Sequence, residues 1–340
     1  MSREGIRTRS RTGSIPQRAP RYGFDEYQGN NTTDFCDSSL YSHGYLIQFY
    51  DHRYVPSMFL HSGCPSPATY KASPSDPDTL TYEQAMADKE RRHEWLEAAQ
   101  KEIKSLENLG SWDEVPISEA KSKIIPTTWV FRCKRTPDGE IKKRKARFCC
   151  RGDLQEGDFE TFAPVNSWTS VRLFLVLSMT LGWVTCNVDF SNAFLQADLK
   201  EPVCIHLPRG FRSTHPYRTC LRLKKSQYGL TVAPHLWWKH LTKALHDMGF
   251  CPSKYEVCLM FMLNMLLIIY VDDLGVAAPN LEIIDKFIAD LESRGFVLTH
   301  EGTFSKFLGI KFDEDKQSGT IALTQKGLIK KVIAAAGLRL

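Results

Sequence analysis

At 340 residues, with 42% apolar and 11% aromatic content, the chain is long enough to bury the core of one large domain or two smaller ones, which excludes a disordered protein. Its ten cysteines form no C-x-x-C pair and no Cys/His ligand spacing, so a zinc knuckle and a redox motif are not supported, and reduced core thiols in an intracellular protein are expected. The net charge of +5 is unevenly placed, because residues 1–24 hold six arginines against Glu4 alone and leave the remainder neutral.

Residues 1–75 mix Arg, Ser, Pro, Asn and Tyr without a sustained period and are expected to form a basic, disordered leader to a folded domain over 76–340. Thr81 with Gln84 makes a capping box, and Trp95, Ala99, Ile103 and Leu106 recur at helical spacing until Gly110. Trp129 to Lys134 alternates, Pro137-Asp138-Gly139 turns, and Ile141 to Arg151 alternates back, which together predict a β-hairpin. The stretch 132–151 holds nine Lys or Arg against Asp138 and Glu140, and the period of two puts Lys143, Lys145, Arg147 and Arg151 on one strand face. Such a patch on a neutral body suggests a polyanion contact, with Lys142, Lys143, Arg144 and Arg151 as candidate nucleic-acid contacts.

Further along, Val171 to Trp183 is predicted as a buried helix and Val184 to Asp189 as a strand. His235 to Met248 is predicted as a helix, Met265 to Val271 as a buried strand, and Asn280 to Arg294 as a capped helix closed by Gly295. Irregular interleaving with hairpins predicts an α+β antiparallel fold. The longest apolar stretch, Cys258 to Val271, is interrupted by Asn264 and is too short for a bilayer span.

Two strand ends present carboxylates, Asp189 after Cys-Asn-Val and Asp272-Asp273 after Met-Leu-Leu-Ile-Ile-Tyr-Val. Ionised groups beside buried strands are costly unless neutralised, and hard divalent cations with oxygen ligands neutralise them. Two such ions about 3.5–4 Å apart activate an attacking hydroxyl and stabilise a leaving pyrophosphate. Solvated turn aspartates are the bland alternative.

In chain order stand Glu94-Trp-Leu-Glu-Ala-Ala99, Thr128-Trp-Val-Phe131, Lys145-Ala-Arg147, Thr161-Phe-Ala-Pro-Val165, Val188-Asp-Phe-Ser-Asn-Ala-Phe-Leu195, Leu207-Pro-Arg-Gly-Phe211, Tyr228-Gly-Leu230, Tyr270-Val-Asp-Asp273 and Phe307-Leu-Gly-Ile310. This ordered set resembles the polymerase module of copia-type LTR retrotransposon reverse transcriptases across most of residues 92 to 337. The resemblance implies a right-hand polymerase, with a palm sheet carrying Asp189 and the Tyr270–Asp273 hairpin and a fingers hairpin carrying the basic row. It implies two Mg²⁺ ions, with Mn²⁺ as the alternative, held by Asp189 and Asp272 with Asp273 in support. Lys145 and Arg147 would hold the incoming triphosphate, and Asn192, Ala193 and Phe194 would line the nucleotide site, with the Phe194 ring beneath the sugar and excluding a 2′-hydroxyl.

Where the family continues Lys-Gln-Ala-Pro-Arg after Tyr-Gly-Leu, this chain has Thr231-Val232-Ala233-Pro234-His235, so Val232 replaces a nucleotide-contacting glutamine. The implied partners are an RNA template, a DNA primer and deoxynucleoside triphosphates, without a membrane, in the cytoplasm within virus-like particles or in the nucleus. Thumb and ribonuclease H segments are not recognisable, which suggests a piece of a polyprotein. The alternative reading is an impaired or domesticated remnant that only binds nucleic acid.

Overall fold

The run Met265–Tyr270 is apolar at every position because its strand is buried on both faces. Met265, Leu267 and Ile269 join one core cluster, Leu266 and Ile268 another, and helices and strands from across the chain pack onto the two sides. The computed structural model describes residues 78–338 except 136–140, 212, 214, 216, 217 and 316. The expected leader 1–75 and the Pro137-Asp138-Gly139 turn lie outside the described residues.

In chain order the elements are β1 (Thr79–Leu80), α1 (Tyr82–Ala87), α2 (Arg92–Asn108), β2 (Trp112–Pro116), β3 (Thr127–Arg135), β4 (Ile141–Cys150) and α3 (Trp168–Thr180). Then come β5 (Val184–Phe190), β6 (Asp198–Ile205), β7 (Thr219–Lys225), α4 (Ala233–Asp247), β8 (Cys251–Pro252), β9 (Leu259–Met262), β10 (Met265–Tyr270) and β11 (Asp273–Ala278). The rest are α5 (Leu281–Ser293), β12 (Leu298–His300), β13 (Lys306–Phe307), β14 (Ile310–Asp315), β15 (Thr320–Thr324) and α6 (Lys326–Ala335). A central sheet runs β12-β5-β11-β10-β9-β8, and three-stranded sheets run β1-β3-β4, β2-β7-β6 and β13-β14-β15. Among the described residues the strand-to-strand ladders are antiparallel, in line with the α+β expectation, and one isolated parallel bridge joins Ile125 to Ile205 of β6.

On one face of the central sheet, Trp237, Leu241 and Leu245 of α4 and Ile284, Phe287 and Leu291 of α5 meet Cys186, Val188, Leu274 and Val276. The β3–β4 hairpin joins the same cluster through Trp129, Phe131, Ala146 and Phe148, and Trp95 of α2 stands edge-on to Phe131 at 5.6 Å. On the other face lie Phe174 of α3 and Phe304, Phe307 and Phe312. A Cβ on Gly275 would meet Ile268 and Phe304 side chains at 2.7 Å, so this strand position admits Phe304 only because it is glycine.

The single helix expected from Thr81 to Gly110 is two. The capping box forms as read, but α1 ends at Ala87, where Asp88 turns extended and its Oδ1 accepts from the Arg91 N–H, restarting the helix at Arg92. Helix α3 starts three residues earlier than expected, because the Ser167 hydroxyl caps the Ser170 N–H. Helix α4 starts at Ala233, with Pro234 in its first turn. Among the described residues all eight cysteines are free, and no helix is long and apolar enough to cross a membrane.

Candidate functional site

Register brings the carboxylates together: Asp189 on β5 is the cross-strand partner of Asp273 on β11, with Thr299 of β12 on its other side. Asp272 sits in the two-residue turn between β10 and β11, closed by pairing of Tyr270 with Asp273. Val271, the other turn residue, is left-handed at φ 54°, an unusual conformation for a β-branched side chain. Two bonds hold the turn there: the Trp237 indole N–H donates to the Val271 carbonyl at 2.6 Å, and the Phe190 N–H donates to the Asp272 carbonyl at 2.9 Å.

Burial, then the charges of Asp272, Asp189 and Glu301, push the Asp273 carboxyl up to about 6. Burial and the charges of Asp272 and Glu301 also raise Asp189, while Lys134 and Lys145 oppose the shift. Glu301 is fixed by the Asn187 amide at 3.1 Å and Lys306 at 3.2 Å. An oxygen-only donor set with surplus negative charge fits hard divalent cations. Among the described residues no three His, Cys, Asp or Glu surround one metal position, while register puts Asp189, Asp272 and Asp273 at one end of the central sheet.

The basic hairpin divides. Lys142 and Lys143 are exposed, as a polyanion contact needs. Arg144 pairs with Glu94 and lies 5.4 Å over the Trp95 ring, pinning β4 to α2. Arg151 falls beyond the end of β4 and makes two 2.7 Å bonds to Asp153, so it does not share the strand face. Lys145 and Arg147 are half-buried, and the Lys145 charge is felt at Asp189; burial, then Arg147 and Lys134, lower the Lys145 pKa. The Arg147 guanidinium lies 5.3 Å over the Tyr228 ring.

The remaining expected nucleotide contacts are mostly internal. Asn192 takes a left-handed turn conformation and donates its amide to Ser105 at 3.2 Å; Ala193 is buried. Phe194 is 5% exposed and edge-on to Tyr228 at 5.2 Å. Val232 is half-buried at the start of α4, and the Thr231 hydroxyl donates to the Gly152 carbonyl at 2.9 Å. That junction is tight, because a Cβ on Gly152 would meet the Gly229 carbonyl oxygen at 2.1 Å.

Sequence reasoning missed Glu102, Lys134, Glu301 and the placement of Tyr228. One signal was available: Trp95, Ala99, Glu102 and Leu106 form an apolar stripe on α2 broken by a carboxylate. Glu301 and Lys134 had none, because tertiary placement alone brings them near Asp189.

An antiparallel α+β domain with carboxylates on adjoining strand ends and a basic hairpin beside them belongs to the class of nucleotide polymerase domains. The family described as Reverse transcriptase (RNA-dependent DNA polymerase) matches residues 111–339, and the chain belongs to it. It is 28% identical over 250 residues to the Retrovirus-related Pol polyprotein from transposon TNT 1-94 of Nicotiana tabacum, covering 71% of this chain and 19% of that protein. It is 30% identical over 275 residues to the Pol polyprotein from transposon RE1 of Arabidopsis thaliana, covering 78% of this chain and 18% of that protein. The Transposon Ty1-LR3 Gag-Pol polyprotein of Saccharomyces cerevisiae is 28% identical over 227 residues, 64% of this chain and 12% of the relative. The chain therefore spans less than a fifth of the length of these relatives.

Proposed function

We propose that this reverse transcriptase domain copies an RNA or DNA template by adding deoxynucleotides to a primer 3′-hydroxyl. The observation that carries the reading is the pairing of Asp189 with Asp273, with Asp272 in the adjoining turn and Lys134 and Lys145 as opposing charges. Asp189, Asp272 and Asp273 would hold the metal on palm strands, and Lys145 and Arg147 on the fingers hairpin would bind triphosphate oxygens through charge-assisted bonds. Two Mg²⁺ ions, or Mn²⁺, held by these carboxylates would lower the pKa of the 3′-hydroxyl and offset the charge on the departing pyrophosphate. The 3′-hydroxyl gives up its proton to solvent, its oxygen bonds to the α-phosphorus, and the bond from that phosphorus to the pyrophosphate oxygen breaks. Lys142 and Lys143 contact the nucleic-acid backbone outside the site, and the reaction takes place inside the cell.

Primer extension on a homopolymer RNA template tests this. Asp272→Asn should abolish incorporation and leave primer–template affinity within about twofold, because the carboxylate and the exposed lysines act on different groups. Unchanged incorporation in the variant would overturn the metal assignment. A second reading, a module that binds nucleic acid without copying it, draws on Val232 standing where the family has a glutamine and on the Thr231 hydroxyl being committed to the Gly152 carbonyl. Zero incorporation by folded parent protein in Mg²⁺ and in Mn²⁺, with binding retained, would select it.

A further inference from the structure

We propose that Asn187 is a positioning residue for the cation at the strand end: its amide, oriented by Glu301, presents Oδ1 to the hydration shell of a divalent ion held by Asp189 and Asp273. The inference rests on the metal reading of those carboxylates.

Along β5, Cys186, Val188 and Phe190 enter one core cluster, and the period of two puts Asn187 on the opposite face with Asp189. That face is packed at this point. Asn187 is 3% exposed, and Phe304 seats on Gly275, its register partner on β11. An apolar side chain would fill such a position at no polar cost, whereas an amide needs partners at both its ends.

The backbone of Asn187 is already paired: its N–H donates to the Gly302 carbonyl at 2.9 Å, and its carbonyl accepts from the Glu301 N–H at 2.8 Å. Its side-chain Nδ2 donates to Glu301 Oε2 at 3.1 Å, and the Lys306 ammonium fixes that same oxygen at 3.2 Å. An ionised carboxylate accepts and cannot donate, so the amide has one orientation, with Nδ2 toward Glu301 and Oδ1 at its other corner. Oδ1 is buried and takes no hydrogen bond from any described residue. An oxygen fixed in this way is costly for the fold alone, and water is what satisfies such a group. Asp189 stands one pleat repeat further on the same face, about 7 Å along the strand. Carboxylate to ion, ion to water and water to amide oxygen, at about 2.1, 2.1 and 2.8 Å, are together of that length. Mg²⁺ keeps several waters when carboxylates bind it, so a fixed acceptor one repeat behind Asp189 orders those waters and, through them, the ion.

The test titrates the full chain, without nucleotide or primer–template, with Mn²⁺ read as free ion by electron paramagnetic resonance, and then displaces it with Mg²⁺. Parent, Asn187→Leu, Asn187→Ala and Asp189→Asn are compared. Leucine matches the shape of asparagine and removes both polar ends; alanine does so without overpacking and carries the test if the leucine variant does not fold. Both Asn187 variants should raise the Mg²⁺ Kd about two- to tenfold. The Mn²⁺ Kd should rise by less, because Mg²⁺ dehydrates reluctantly and depends more on how its waters are held. If Asp189→Asn weakens both ions and neither Asn187 variant does, Oδ1 serves the fold only and the inference falls alone. Equal weakening of the two ions by the Asn187 variants would mark a distorted strand and overturns it as well. If Asp189→Asn changes neither Kd, or the parent binds neither ion measurably, the metal reading falls and takes the inference with it.

Discussion

Val232 stands half-buried at the start of α4, next to a Thr231 hydroxyl already committed to the Gly152 carbonyl. Val232→Gln alone is therefore the cleaner gain-of-contact variant. It should raise dTTP incorporation efficiency about two- to tenfold by adding one hydrogen bond, and an unchanged kcat/KM would remove position 232 from the nucleotide site. Thr231→Lys should lower stability by about 1 kcal/mol through loss of the Gly152 bond. Phe194 needs similar care, because truncating so buried a ring to Ala would cost about 3–5 kcal/mol. Phe194→Val preserves more of the packing, and the ratio of dTTP to rUTP efficiency should fall at least about tenfold, the cost of admitting one clash removed. An equal ratio in variant and parent would leave Phe194 as a core ring supporting Tyr228. At this scale the aspartates were legible because charge at the end of an apolar run is conspicuous. The partners of Arg144 and Arg151 were not legible, because strand period fixes a face but not a partner, and Glu94 is fifty residues away from Arg144.

The β10–β11 hairpin shows the same division at the scale of elements. Its strands were readable from an unbroken apolar run, yet what holds the turn, the Trp237 indole from α4, was not, since nothing in local pattern links residues 34 apart. Helix α2 was readable from apolar residues at helical spacing, and its break from α1 was not, because the Asp88 side-chain bond to the Arg91 N–H is a local alternative to continuing the helix. Trp237→Phe keeps the ring among Phe190 and Phe296 and deletes the bond to Val271. The loss should cost about 1 kcal/mol in urea unfolding, the net worth of one hydrogen bond to a half-buried carbonyl. It should also lower kcat more than it raises KM, because the residue after Val271 is Asp272 and a turn at φ 54° relaxes once its clamp is gone. A stability loss with kcat intact would show that the clamp serves the fold only.

Across the whole domain, packing order was the part least visible in sequence: the antiparallel class followed from hairpins, but the β12-β5-β11 order that sets Asp189 against Asp273 depends on long-range pairing. That pairing creates a conflict between stability and chemistry. Asp273 is raised from 3.8 to about 6 by burial and by neighbouring acids, so the folded state binds its proton more tightly than the unfolded state does. The parent should accordingly lose stability as pH rises from about 4 to about 6 and stay at the lower level above that. Asp273→Asn removes the ionised form and should stabilise the domain at pH 7.5 in EDTA by about 1–2 kcal/mol, the shift discounted for solvent screening. Added Mg²⁺ should then stabilise the parent, whose carboxylates gain a counter-charge, more than the variant. Urea unfolding of both proteins with EDTA and with Mg²⁺ reads all four stabilities. A variant less stable than the parent in EDTA would mean that the acidic end is not self-repelling, and equal Mg²⁺ stabilisation of the two would place the ion elsewhere. If the variant is instead more stable and fails to incorporate nucleotide, the repulsion at the strand ends is the stability given up to keep a cation site ready at Asp189, Asp272 and Asp273.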